Sequence, residues 1–560
     1  MAEQSNEWKR EPRSFGDGQI DVLFRKANDP NKLPHIYPRL SPNVRVEDDI
    51  LIQRDMAIIV RDGARIFADI YRPHGEENVP AIIAWGPAGK NFNFVTKGGG
   101  TGGLVPEGAV SAMSKQESPD PAYWCHHGYA VINVDSRGAD NSDGDIQFFN
   151  ALDYQDMYDV TEWVGAQYWC NGKVAFHGTA FAGLSCWFAA QIKPPSLACI
   201  APWEALYDLY RGVISRGGVI DTIVLEHILS RLHGNQGMED IVAMARQYPL
   251  MNGYWEEKIA KLEDIDLPVY LTGNINMFHE MTMDAFRRLP GERKWLRIHN
   301  SISWRDLYSS ESLEDLRRFF DRYMKGVRNG WEFTPPVRLS VYDTAGDIVN
   351  RPEKAWPPER VKHQALYLDA ASGSFSSSPL AAEASAGYVA GGAGELSFTY
   401  RFDEDSELVG YPKLRLWVET DGADDMDLFV SLERLDADGK PIPMPYFGSM
   451  HCGLSGVLRV SHRELDEERS TPDRPVLKHR RLQPLKPGEI VPVDVQIWPL
   501  TIICHAGEQL RLVVRDKIRR TGHGADLMKA QTMEQANQGR HIFHTGGGYD
   551  SHLLLPVIPG

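Results

Sequence analysis

The chain is short of cysteine: six in 560 residues, at Cys125, Cys170, Cys186, Cys199, Cys452 and Cys504. None forms a C-x-x-C pair and the spacing fits no zinc template, so the thiols read as scattered buried side chains rather than as a disulfide framework or a metal site. No run of about 18 apolar residues offers a membrane span. The opening MAEQSNEWKREPRSFGDG lacks the apolar stretch of a secretory signal, and a cytoplasmic location is the expectation. Positive charge is in deficit too. Sixty Lys and Arg against 76 Asp and Glu give a net charge of −16, the wrong sign for neutralising phosphates, so nucleic acid is not an expected partner. There is no internal repeat, and no cofactor is expected.

What is present is length and aromatic bulk. Single cores rarely grow past ~250–300 residues, so two or three domains are expected. Fourteen Trp, 21 Tyr and 21 Phe supply large cores. Residues 1–45, rich in Pro, Asn and charge, read as an extended N-terminal arm, with regular structure beginning near Val46. Short apolar runs then alternate with helical spacing: PAIIAWGP, YAVINV, DMYDVTEWVGAQ, KVAFH, LSCWFAAQI. That alternation predicts a parallel sheet with helices on both faces. The strand signal disappears between Pro202 and Leu267, where VIDTIVLEHILSRL and MEDIVAMARQY have helical spacing. A helical cap over residues 203–267, inserted between the two parts of an α/β domain (46–202 and 268–335), is the predicted arrangement. From residue 336 to 560 alternating stretches such as PKLRLWVET, MDLFVSLERL and QLRLVVRD predict a β-sandwich of jelly-roll type. Residues 370–394, dominated by small side chains, read as a long surface loop, and the charge run at 464–475 as a solvated one.

The most informative stretch is strand, turn, helix: Lys173-Val-Ala-Phe-His-Gly178-Thr-Ala180-Phe-Ala-Gly183. A sharp turn of this kind carries the nucleophile of α/β-hydrolases in the pattern G-x-S-x-G. The stretch resembles the K-V-x-x-x-G-x-S-x-x-G elbow of the CocE/NonD (cocaine-esterase-like) and Xaa-Pro dipeptidyl-peptidase group. FADIYRP (67–73), GYAVINVDSRGADNSDGD (128–145), APWEALYDLYRG (201–212), KWLRIHN (294–300), DLRRFFDRYMKG (315–326) and HTGGGYDSHLLLPVIP (544–559) are similar to its other landmarks. The resemblance covers residues 45–560. It implies an α/β-hydrolase fold and hydrolysis of an ester or amide, in which a serine attacks the carbonyl, a histidine takes the proton, an aspartate orients the histidine, and a tyrosine hydroxyl with a backbone N–H holds the oxyanion.

Carried across position by position, the catalytic set departs from that pattern. The nucleophile position is Ala180. The acid position falls at Asn276 and the histidine position near Ser303. The oxyanion tyrosine position is Ala88, which leaves the Phe181 N–H as the retained donor. A serine replaced to trap substrate would account for Ala180 alone; natural divergence would account for Ala180, Ala88, Asn276 and Ser303 together.

His279, with Glu280 beside it, follows a strand end at the sheet's carboxyl edge, where such folds place their sites, and is a candidate acid–base group. Ser185 and Cys186 lie five and six residues past Ala180 and read as packing residues, His177 as a structural strand residue and Lys90 as a solvated lysine. Trp85, Trp203 and Tyr207 are candidate substrate contacts, suited to an apolar or aromatic small molecule, and self-association into a homo-oligomer is open. His541 and His544 fall on opposite faces of an apparent strand, and with His552 they make no metal site. The leading reading is therefore an ester or amide hydrolase with a disabled nucleophile. The alternatives are a non-hydrolytic enzyme on the same scaffold (lyase, isomerase or cyclase) and a catalytically dead binding protein.

Overall fold

A computed structural model of the protein describes residues 7–32, 38–92, 105–106, 108–274, 279–392, 394–446, 449–451, 453–517 and 536–560. Its N-terminal segment is more than an arm. Strands β1 (Glu7–Phe15) and β2 (Gly18–Lys26) form an antiparallel hairpin. Regular structure thus begins well before Val46, because Ile20, Val22, Leu23 and Phe24 give β2 an apolar face to bury.

The α/β domain is built on one eleven-stranded sheet. In chain order its first strands are β3 (Asn43–Glu47), β4 (Ile50–Ile59), β5 (Arg65–Pro73), β6 (Val79–Gly86), β7 (Ala130–Asp135), β8 (Cys170–Thr179) and β9 (Leu197–Trp203). The segment after β9 carries β10 (Ser215–Arg216), β11 (Val219–Ile220) and β12 (Gly237–Glu239), and β13 (Val269–Gly273), β14 (Lys294–Ile298), β15 (Val337–Val341) and β16 (Ile348–Glu353) follow. The sheet order is β16-β15-β14-β13-β9-β8-β6-β7-β5-β4-β3. The run from β15 to β7 is parallel, and β16, β5, β4 and β3 extend it by antiparallel pairing. Every residue of β6 and β7 is buried, as expected for parallel strands covered on both faces.

The covering helices follow from local sequence. Helix α1 (Ala151–Gly165) starts where the Asn150 side chain accepts the N–H groups of Leu152 and Asp153. Helix α2 (Ala180–Gln191) leads directly out of β8. The segment between β9 and β13 is the cap. It has helices α3 (Thr222–Leu229) and α4 (Ile241–Gln247), but also the three short strands that helical spacing alone does not predict. Helices α5 (His279–Arg288), α6 (Ser303–Leu307) and α7 (Ser310–Met324) complete the domain. The buried Leu313, Leu316, Phe319, Phe320 and Met324 of α7 recur at helical spacing.

The C-terminal domain is a β-sandwich with its own core, centred on Leu366, Phe398, Leu416, Leu428, Leu512 and Leu553. Three expectations there need correction. The sandwich begins after residue 353 and not at 336, because β15 and β16 pair into the eleven-stranded sheet. Residues 370–394 hold strands Ser374–Ser376 and Ala384–Val389, and the second pairs along its length with Arg540–Thr545. The charge run at 464–475 is not solvated at its end. Asp473 and Arg474 are buried, and Arg474 lies 3.3 Å from Asp284 and 3.5 Å from Glu280, both on α5. The five described cysteines are all free. Among the described residues no helix is long and apolar enough to cross a membrane.

The hairpin holds the cap down. β2 pairs with β12, Arg13 donates to Glu239 and Gln147 at 3.0 Å each, and Arg25 bridges Glu226 and Asp240. Removing residues 1–26 surrenders the burial of Ile20, Val22, Leu23 and Phe24, roughly 6 kcal/mol or more. The truncated chain should unfold several degrees lower and be cut first within 203–267. A thermal scan with limited proteolysis checks this, and an unchanged midpoint would show that the hairpin is not a support.

Candidate active site

The site begins with a strained residue. β8 ends at Thr179 and Ala180 opens α2 with φ +48°. Left-handed backbone costs an alanine about 1–2 kcal/mol, so its surroundings must impose it. The two glycines of the turn show how. A Cβ on Gly178 would stand 2.5 Å from Ala182 Cβ and 3.0 Å from the Glu117 carbonyl oxygen, and one on Gly183 would stand 2.8 Å from Ala205 Cβ and 3.0 Å from the Trp203 carbonyl oxygen. Both side chains must be absent for strand, helix and neighbouring loops to close together. Ala180 and Phe181 remain partly exposed.

Glu117 is pressed against this turn. Its carbonyl accepts the Thr179 N–H at 3.0 Å, and its carboxylate Oε2 accepts the Phe181 N–H at 3.2 Å. Glu117 is itself left-handed, at φ +60°. Trp304 and Gln116 lie beside the carboxyl and act on it. Burial raises its pKa above the usual carboxylate range, against the lowering by the Phe181 N–H and the Arg231 charge. The backbone N–H at the family's oxyanion position thus holds a carboxyl group.

A second polar group lines the same carboxyl edge. Glu204 follows β9 with φ +49°, Asn274 follows β13, and His299 follows β14. His299 Nδ1 accepts the Ser301 N–H at 3.3 Å, which puts the ring proton on Nε2, 2.8 Å from Glu204 Oε1 and 3.4 Å from Asp306 Oδ2. Asn274 donates to Glu204 Oε1 at 3.2 Å. Arg297 grips Asp306 through two bonds of 2.9 and 2.5 Å. An imidazole–carboxylate pair therefore stands at the carboxyl ends of β9 and β14.

Comparison with known proteins places this geometry. The family model for X-Pro dipeptidyl-peptidase (S15 family) matches residues 62–228, and that for the X-Pro dipeptidyl-peptidase C-terminal non-catalytic domain matches residues 329–554. A CocE/NonD family hydrolase from Staphylococcus aureus has the same structure with a TM-score of 0.88 at 30% identity, over 94% of this chain and 100% of that one. The chain belongs to the CocE/NonD hydrolase family. The cocaine esterase of Rhodococcus sp. is 22% identical over 92% of this chain and its own whole length. An alpha-amino acid ester hydrolase shares the fold, with a TM-score of 0.67 at 15% identity. The protein is thus an enzyme of the hydrolase class, on the α/β-hydrolase scaffold with a C-terminal β-sandwich, in a serine-hydrolase family.

Against that family pattern, Ala180 and Phe181 stand together at the elbow, and Ala88 lies in the turn after β6 with only a methyl group to offer. Ser303 is the first residue of α6 and partly exposed. Its neighbour Trp304 is the one that reaches Glu117. Asn276 lies outside the described residues. His279 opens α5, and Glu280 beside it turns away to Arg474 and Gln496 of the sandwich. Trp85 and Trp203 are fully buried. Trp203 packs edge-on to His177 and Tyr270, so both tryptophans belong to the core and not to a substrate wall. Tyr207 lines a cavity of about 110 Å³ with Glu280, Asp284, Arg474 and Trp498, which neither Ala180 nor Glu117 borders.

Ser185 donates to the Ala182 carbonyl, and Cys186 is buried. His544 pairs with Glu419 at 2.9 Å, and no metal-ligating cluster occurs among the described residues. Glu117, Glu204 and His299 escape a reading of the sequence. His299 sits four residues before the position the family pattern indicates, and nothing in QESPDP marks Glu117.

Lys90 is not solvated. Its Nζ is buried 2.7 Å from Asp55 and 3.7 Å from both Asp69 and Asp135, which hold its pKa above the usual lysine value despite burial. Lys90→Met leaves these carboxylates facing one another and should cost about 3–5 kcal/mol. The variant should regain stability as pH falls and the carboxylates take up protons. Denaturant titrations at pH 5 and 8 measure both effects, and equal losses at the two pH values would show that the cluster is not electrostatically coupled.

His177 donates to the Ala201 carbonyl from a fully buried site, and burial lowers its pKa to about 4; His462 and His541 are lowered to about 4 as well. The unfolded imidazoles take protons near pH 6.5 that the folded ones refuse. Stability should therefore be intact above that pH and fall between about 6.5 and 4, by roughly 1.4 kcal/mol per pKa unit for each histidine. His177→Gln should flatten that slope in urea titrations across the window; an unchanged slope would remove His177 from the account.

Proposed function

We propose that this chain binds an ester- or amide-class carbonyl compound at the Ala180 elbow and does not process it through an acyl-enzyme. One observation carries the reading: the backbone of the elbow is complete, with φ +48° at residue 180 and the Phe181 N–H at the helix start, while the side chain is a methyl group. Methyl cannot attack a carbonyl. Ser185 and Cys186, the nearest hydroxyl and thiol on α2, are buried and point into packing contacts. The family relatives that are esterases support a carbonyl substrate for this chain.

A fluorophosphonate probe tests this reading. The native protein should remain unlabelled and Ala180→Ser should label at residue 180. Labelling of the native protein would reveal another nucleophile, and an unlabelled Ala180→Ser would show that the elbow does not face a substrate.

A further inference from the structure

Glu117 invites a more specific statement. It lies in a loop that the family's catalytic set does not use, yet it makes two hydrogen bonds to the elbow, one from Thr179 N–H to its carbonyl and one from Phe181 N–H to its carboxylate. Its left-handed backbone holds it there. The groups around the carboxyl are Phe181 of α2, Trp304 of α6, Gln116 beside it, Arg231 of the cap, and Lys115 and Tyr308 nearby. The hydrogen-bond donor to its carboxylate among the described residues is the neutral Phe181 backbone N–H. Among the described residues this carboxyl makes no ion pair, and both its protonation states stay within reach.

We propose that Glu117 is the acid–base residue of this site and activates water for direct attack on an ester carbonyl, in place of the absent serine. This rests on the reading of the Ala180 elbow as the substrate site. In the step, an O–H bond of water breaks, its proton passes to the Glu117 carboxylate, and the water oxygen bonds to the carbonyl carbon. In the collapse, the bond to the alcohol oxygen breaks and Glu117 returns the proton to the departing alkoxide. Ester and water become acid and alcohol, and Glu117 is a carboxylate again. The negative charge of the site stays at one unit throughout. As Glu117 becomes neutral its hold on the Phe181 N–H weakens, while the carbonyl oxygen gains the charge that this N–H and the amino end of the twelve-residue α2 favour.

The test is steady-state hydrolysis of 4-nitrophenyl acetate by the full chain. The native protein should turn over the ester without fluorophosphonate labelling. Its rate should rise with pH along a limb set above the ordinary carboxylate range, because the base works only when deprotonated and burial raises it. Glu117→Gln should lose about 100-fold or more in kcat and lose that limb. Added formate should restore part of the activity to Glu117→Ala, which a purely structural role would not allow.

No turnover by the native protein, no limb above the ordinary carboxylate range, or a Glu117→Gln rate within threefold of native would each overturn the proposal. The native pH profile decides the matter even if a variant folds poorly. Ala180→Ser separates the two ideas. If it labels while Glu117→Gln stays active, only the role of Glu117 fails. If it does not label, the site assignment itself fails.

Discussion

The left-handed turn at Ala180 can persist only because the chain around residue 117 is fastened across it. Thr179 N–H reaches the Glu117 carbonyl and Phe181 N–H reaches its carboxylate, so one residue satisfies donors on both sides of the strained position. That contact requires Gly178 to have no side chain, since a Cβ there would press on the Glu117 carbonyl oxygen. Gly183 in turn lets the first turn of α2 settle against Trp203 and Ala205 at the end of β9. The elbow is therefore a junction of three segments, and its geometry survives the loss of the hydroxyl because none of these contacts involves the side chain of residue 180.

How far the sequence revealed this differs by feature, and for physical reasons. The parallel sheet was legible because fully buried strands such as those around Trp85 and Val131 are unbroken apolar runs. The elbow was legible because its glycines obey a spacing that backbone closeness demands. The hairpin at residues 7–26 was not, since its charged outer face hides the alternation of Ile20, Val22 and Phe24. Trp203 was misassigned because an aromatic at a strand end reads the same whether it lines a pocket or, as here, packs against His177 and Tyr270. Lys90 was misassigned because its carboxylate partners come from three other segments, at positions 55, 69 and 135. Glu117 and His299 were missed for the same reason: their importance lies in what the fold brings to them.

Two carboxyl groups stand at the carboxyl edge of the sheet, and their surroundings assign them different work. Glu204 faces the His299 imidazole at 2.8 Å and the Asn274 amide at 3.2 Å, with Asp306 and Arg297 behind the histidine. Such a carboxylate is committed to holding a ring in place. Glu117 is held instead by a neutral donor, the backbone N–H at the amino end of a helix. A group moves protons well when neither of its charge states is strongly trapped. In the serine mechanism the hydroxyl supplies the nucleophile and the helix end receives the charge. With alanine at residue 180 the helix end still faces a carboxyl, that of Glu117, and in the proposed step its charge passes to the substrate and back. The His299 imidazole, paired to Glu204, takes no part in that exchange.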